Sequence, residues 1–243
     1  MANVSVEQLA DRWHVTLNRP QARNAIDLDT VNELHAVCES LERDPRVLIL
    51  SGSGGVFAAG ADIRQLLERR AADALAGINT HLFTRIAELP MPVIAVVDGP
   101  ALGGGAELAY AADFRLASPS ARFGNPETKL GIIAAGGGLW RLRNLVGEPV
   151  AKQVLLAGRI LTAEESLQLN LVSSIHEPDD LRAAADSLAD QILKGDPLAI
   201  QMTKAVMAGD PQSHPQADLE AQAILFESEA KRTRMTAFLE GKR

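Results

Sequence analysis

PVIAVVDGPALGGGAELAYAADFRLAS, residues Pro92–Ser118, is the stretch on which the architecture turns. It opens on an unbroken apolar run, Val93–Val97, the pattern of a strand covered on both faces. Gly99 and Pro100 end that run. Three glycines, Gly103–Gly105, lead into an apolar helix, and FRLAS reads as the next strand. The same grammar recurs upstream. RVLILSGS (Arg46–Ser53) is another buried strand, and GGVFAAGADIRQLLERR passes from a small-residue loop into a helix starting near Asp62. WHVTLNRP (Trp13–Pro20) alternates as a strand. A helix is predicted over Leu28–Arg43 with Asp27 as its cap, and a second over Ala74–Leu89. Alternating strands and helices argue for an α/β core. Beyond Pro149 the pattern is helical apart from one strand, LVSSIH (Leu171–His176), with breaks at Asp196-Pro197 and between Pro211 and Pro215. The expected organisation is an α/β core with the active site over residues 1–176 and a helical C-terminal region over 177–243.

Composition narrows the function. The chain has 243 residues, 47% of them hydrophobic, enough for a sizeable core. Its net charge of -7 counts against nucleic-acid binding, which needs a basic surface. The single cysteine, Cys38, allows no intrachain disulfide and suits a reducing, cytoplasmic location. The N-terminus shows no basic patch followed by an apolar run, so no signal peptide is expected. The apolar stretch Met91–Ala112 contains Pro92, Asp98, Pro100 and Glu107. It suits a buried strand, loop and helix, and no membrane insertion is expected. No G-x-G-x-x-G, P-loop or G-x-S-x-G motif occurs, and the histidines show no metal-ligand spacing.

Four pieces can carry chemistry. AAGADI (Ala58–Ile63) and GGGAE (Gly103–Glu107) each place small residues before a helix start, where N–H groups have no helical partner. Two such N–H groups, one from each turn, can converge on one oxygen as an oxyanion hole. Tight turns with close helix packing use glycine equally well. The third piece is Glu107, with only Tyr110 and Ala111 as helical neighbours and no basic residue near it in sequence. An unpaired buried charge is costly. The fourth is Glu127 in FGNPETKLGI (Phe123–Ile132), after Pro126 in a loop-like segment, where an ordinary loop carboxylate is the plain alternative.

In this order and spacing, AAGADI, ALGGGAELAYAADFRLAS and FGNPETKLGI resemble the enoyl-CoA hydratase/isomerase (crotonase) family. LNRPQARNAI (Leu17–Ile26), GEPVAKQVLLAGRILTAEESLQLNLVSSI (Gly147–Ile175) and MTAFLEGKR (Met235–Arg243) extend the resemblance over nearly the whole chain. The resemblance implies an α/β fold, a crotonase-like spiral of repeated ββα units with a helical C-terminal trimerisation region, assembled as a homotrimer or a dimer of trimers. It implies oxyanion-hole amides at Ala61 and Gly104 and an acid/base pair at Glu107 and Glu127. It places Arg23, Asn24, Ala25, Ala59, Asp62, Ile63 and Arg64 along the coenzyme A channel. No bound cofactor or metal is implied, since coenzyme A is part of the substrate. The implied reaction is hydration of a trans-2-enoyl-CoA. A Δ3-Δ2-enoyl-CoA isomerase and a non-catalytic acyl-CoA binding protein are the alternatives.

The chain departs from the family pattern at IIAAGGGLWRL (Ile132–Leu142). Ala134 and Ala135 stand where the family has Pro and Gly, and the amide of that glycine helps hold the catalytic water. Alanine also has an amide, and the role carries over where its φ is negative. Asn170 replaces a glycine, and Asn tolerates the left-handed conformation.

Overall fold

Apolar runs form the inner strands and amphipathic runs form the covering helices. The structure is a computed structural model and describes residues 2–241. Lys242 and Arg243, the end of MTAFLEGKR, lie outside the described residues. The strands are β1 (Val4–Gln8), β2 (Arg12–Leu17), β3 (Val47–Gly52), β4 (Val93–Val97), β5 (Pro100–Leu102), β6 (Phe114–Ala117), β7 (Arg122–Gly124), β8 (Leu161–Thr162) and β9 (Ser174–Ile175). The helices are α1 (Leu28–Arg43), α2 (Ile63–Glu68), α3 (Ala71–Leu75), α4 (Ile78–Ala87), α5 (Gly104–Ala111), α6 (Gly138–Val146), α7 (Glu148–Leu155), α8 (Ala163–Gln168), α9 (Leu181–Leu193), α10 (Pro197–Ala208), α11 (Gln216–Phe226) and α12 (Glu229–Leu239).

The chain divides into two compact units, Met1–Ala189 and Asp190–Arg243. In the first, a six-stranded sheet runs in the order β1-β2-β3-β4-β6-β9, and a three-stranded sheet runs β5-β7-β8. β1 pairs antiparallel with β2, and β2, β3, β4, β6 and β9 run parallel. All five residues of β4 are buried, as a strand covered on both faces requires. Asp27 caps α1 by accepting the Thr30 N–H at 2.8 Å. The stretch Met91–Ala112 is a buried strand, loop and helix, and among the described residues no helix is long and apolar enough to cross a membrane.

Several elements differ from the sequence expectation. The helix predicted over Ala74–Leu89 is two, α3 and α4, because Gly77 between them has a left-handed φ of 59°. The strand predicted over Leu171–His176 shrinks to β9. The Ser166 carbonyl accepts the N–H groups of both Leu171 and Val172 and holds those residues in a turn. β5 and β7 are three-residue strands rich in Pro and Gly, too short for periodicity to reveal. β5 nonetheless matters, because it delivers the chain to Gly103. The second unit is helical, and none of the residues of α10, α11 or α12 is buried.

Candidate active site

The two small-residue turns are stitched together. Ala58 donates its N–H to the Pro100 carbonyl at 3.2 Å, and Leu102 donates back to the Ala58 carbonyl at 3.0 Å. On its other side the first turn pairs with Ile26, which donates to Gly60 at 2.8 Å and accepts from Asp62 at 3.0 Å. Those bonds flank Ala61 and leave its own N–H over. Gly104 is the first residue of α5, so its N–H has no helical acceptor. A methyl group placed on Gly104 would lie 3.3 Å from the Ala61 nitrogen. The two amides therefore border one small space.

The three glycines have three separate jobs. Gly103 has φ 52° and ψ −127°, a conformation closed to side-chain-bearing residues. Gly104 keeps the space before Ala61 open. Gly105 lets α5 lie against the first turn, since a Cβ there would meet the Ala58 carbonyl oxygen at 2.2 Å.

Both glutamates line the cavity that this space opens into, about 620 Å³ in volume. Glu107 sits in the first turn of α5 and is 5% exposed. Burial pushes its carboxyl up to about 7, and the nearby charge of Glu127 adds to that rise. Opposing it, Gly138 N–H donates to Oε1 at 2.9 Å, and the Gly136 backbone supplies a further hydrogen bond. Glu127 begins a short 3-10 turn, Glu127–Leu130. Burial raises its pKa too, partly offset by the Asn125 side-chain amide donating to Oε1 at 3.3 Å. Glu127 Oε2 is buried without a hydrogen-bond partner among the described residues. A buried carboxyl with one oxygen unsatisfied is a group placed for a ligand or a proton.

Comparison with known proteins gives this arrangement its context. The enoyl-CoA hydratase/isomerase family profile matches residues 12–243. The chain belongs to that family. It is 38% identical to the short-chain-enoyl-CoA hydratase of Clostridium acetobutylicum over 98% of this chain and 95% of the relative. It is 37% identical to the crotonyl-CoA hydratase of Syntrophomonas wolfei, with the same coverage. Among solved structures, an enoyl-CoA hydratase from Bacillus anthracis superposes with a TM-score of 0.93 at 30% identity, covering 99% of this chain and 97% of that one. The fold is therefore that of the hydratase/isomerase family.

The remaining residues implied by the family resemblance divide into two groups. Ala59, Ile63 and Ala135 line the cavity with Ala61. Arg23, Asn24, Ala25, Asp62 and Arg64 stand outside that lining. Asn24 is turned inward at 1% exposure, donating to the Ser53 carbonyl at 2.9 Å and the Val56 carbonyl at 2.6 Å. Its side chain anchors the chain leading to the first turn. Asp62 caps α2, accepting the Arg64 N–H at 3.1 Å, and pairs with Arg19 at 3.5 Å. Neither Ala134 nor Ala135 has a positive φ, whereas Asn170 does, at 57°. The Ala135 N–H donates to the Ile133 carbonyl at 2.9 Å, so the turn itself engages that amide.

One residue beside the site of this hydratase/isomerase-family chain, Arg141, gave no signal in the sequence. Arg141 is buried at 6% exposure, donates to the Gly136 carbonyl at 3.1 Å and lies 4.1 Å from the Trp140 ring centroid. Its charge acts on Glu107 and lowers that carboxyl's pKa. It is far from Glu107 in sequence, and no local pattern links the two.

Proposed function

We propose that the protein is an enoyl-CoA hydratase, adding water across the 2,3 double bond of a trans-2-enoyl-CoA. One observation carries the reading. Two buried carboxyls with raised pKa values line the same cavity as two amides that border one open space. The thioester carbonyl sits against Ala61 and Gly104. Attack at C3 moves negative charge onto that oxygen, and fixed N–H donors stabilise it more in the transition state than in the ground state. Glu107 holds the water and takes its proton, and Glu127 delivers a proton to C2. The chemistry uses no bound cofactor, since coenzyme A enters with the substrate. Relatives named as hydratases over nearly the full length support this reaction over the isomerase.

The apolar residues left exposed on the helices after Asp190 support a homotrimer or a dimer of such trimers. Met207, Phe238 and Leu239 are 79%, 76% and 84% exposed. The purified protein is expected to bleach the enoyl-thioester absorbance of crotonyl-CoA. Persistence of that band, with tight binding of the thioester, would leave a binding protein instead.

A further inference from the structure

The cavity wall built from α2, α3 and the start of α4 carries groups that hydration does not use. Its apolar part includes Ile63, Leu66, Ala74 and Ile78. Arg69 stands among them, half-buried. Its Nη1 donates to Asn79 Oδ1 at 3.3 Å, and no carboxylate pairs with it among the described residues. Arg19, Arg85, Arg159 and Arg182, by contrast, each reach an acid. A guanidinium beside apolar wall, bonded only to a neutral amide, keeps most of its N–H donors uncommitted.

The nearby charges do not neutralise it. Asp73 lines the same wall, but its Oδ2 accepts the Arg70 backbone N–H at 2.8 Å and caps α3. Arg70 adds a second, exposed positive charge at the rim. The other atom of the Asn79 amide faces the glycine turn. Its Nδ2 is 3.8 Å from the position a Cβ would take on Gly104. Asn79 thus spans from the thioester-binding turn to Arg69. That chain of contacts keeps the guanidinium within about 10 Å of Gly104.

We propose that Arg69 receives a carboxylate at the distal end of the acyl chain, making the preferred substrates short trans-2-enoyl-CoA thioesters that end in a carboxylate. The inference rests on the hydratase reading. A planar guanidinium with free donors matches a carboxylate bidentately, and the apolar wall accommodates the intervening methylenes. The reach from the oxyanion turn suits a chain of about five or six carbons, at roughly 3.5 Å for every three bonds.

The test is steady-state hydration of crotonyl-CoA, glutaconyl-CoA, its six-carbon homologue and neutral 2-hexenoyl-CoA. The wild type is expected to prefer the carboxylate-ended six-carbon substrate to the neutral one in kcat/KM by roughly 10–100-fold, the worth of a charged hydrogen bond. In Arg69→Met that ratio collapses towards one through the anionic substrate's KM, and Arg69→Lys restores part of it. Thermal melts report whether the variants fold. Equal hydration of anionic and neutral substrates by the wild type overturns the proposal. So does an Arg69→Met variant that raises KM for every thioester alike, which would place Arg69 on the coenzyme A phosphates. Failure to hydrate any thioester, crotonyl-CoA included, overturns the hydratase reading and the specificity with it.

Discussion

Burial holds the Glu107 carboxyl near pH 7 while loop amides and Arg141 favour its charged form. In an unfolded chain the same group has the ordinary value, 4.5. A folded value above the unfolded one favours the neutral acid, so its stabilising share is complete below 4.5 and lost as pH rises through about 7. The difference corresponds to about 3 kcal/mol at most. Glu107→Gln removes the ionisation but turns an amide NH2 towards one loop donor. Its unfolding free energy from urea melts should therefore exceed the wild type's by roughly 1–3 kcal/mol at pH 8, with little difference at pH 4. The same variant should lose about 10²–10⁴-fold in kcat. In the wild type, kcat/KM should fall below about pH 7 as Glu107 takes up its proton. Arg141 tests this from outside the reacting atoms, as a positioning residue. Arg141→Gln frees the Gly136 carbonyl and removes a positive charge, so the acidic limb should move to higher pH and kcat should drop by up to about 100-fold. Arg141→Lys should keep the limb nearly in place. An unmoved limb in Arg141→Gln would reduce Arg141 to a packing residue.

α5 is the element that joins the fold to the chemistry, and its ends are held differently. At the C-terminal end the buried Arg115 bonds the carbonyls of Ala109 and Ala112, and also that of Leu171 at 2.6 Å. A cation at a helix C-terminus meets the negative end of its dipole. At the N-terminal end only glycine keeps the helix close to the Ala58–Ala61 turn. Two adjacent substitutions should separate packing from catalysis. Gly104→Ala puts a methyl 3.3 Å from the Ala61 nitrogen, into the space proposed for the thioester oxygen. It should fold with nearly unchanged stability, helped by alanine's helix propensity, and lose about 10²–10³-fold in kcat. Gly105→Ala drives its methyl into backbone at 2.2 Å and should cost about 1–3 kcal/mol as well as activity. Denaturant melts beside crotonyl-CoA turnover check both, and equal stability losses would contradict the division. The glycines and Glu107 stood out in sequence because they sit at a strand-to-helix turn, whereas Glu127, in a loop-like segment, stood out only through the family resemblance. The Gly77 break did not, since a single glycine inside a helical pattern is ordinarily tolerated. Arg141 was invisible for another reason: Glu107, the carboxyl its charge acts on, lies on α5 and comes near it only through tertiary packing.

At the scale of the whole molecule, the alternation of strands and helices was legible because buried parallel strands read as continuous apolar runs. Their spatial order was not, since β6 and β9 are distant in sequence and pair only once the sheet is formed. The helical region after Asp190 poses a different problem. An isolated helical unit buries an apolar stripe, yet none of the residues of α10, α11 or α12 is buried. Phe238, Leu239 and Met207 remain largely open, more apolar exposure than a monomer's helices normally carry. Copies of the chain covering these helices under cyclic symmetry would remove that cost, and the same patch recurring on each subunit would let the assembly close. Light scattering should then give three or six times the 25.9 kDa chain mass. Phe238→Glu places a charge on α12 that such an interface would have to bury unpaired, so the variant should shift to smaller species and melt at lower temperature. A wild type that scatters as a monomer at micromolar concentration, with Phe238→Glu melting alongside it, would show that these helices stand alone.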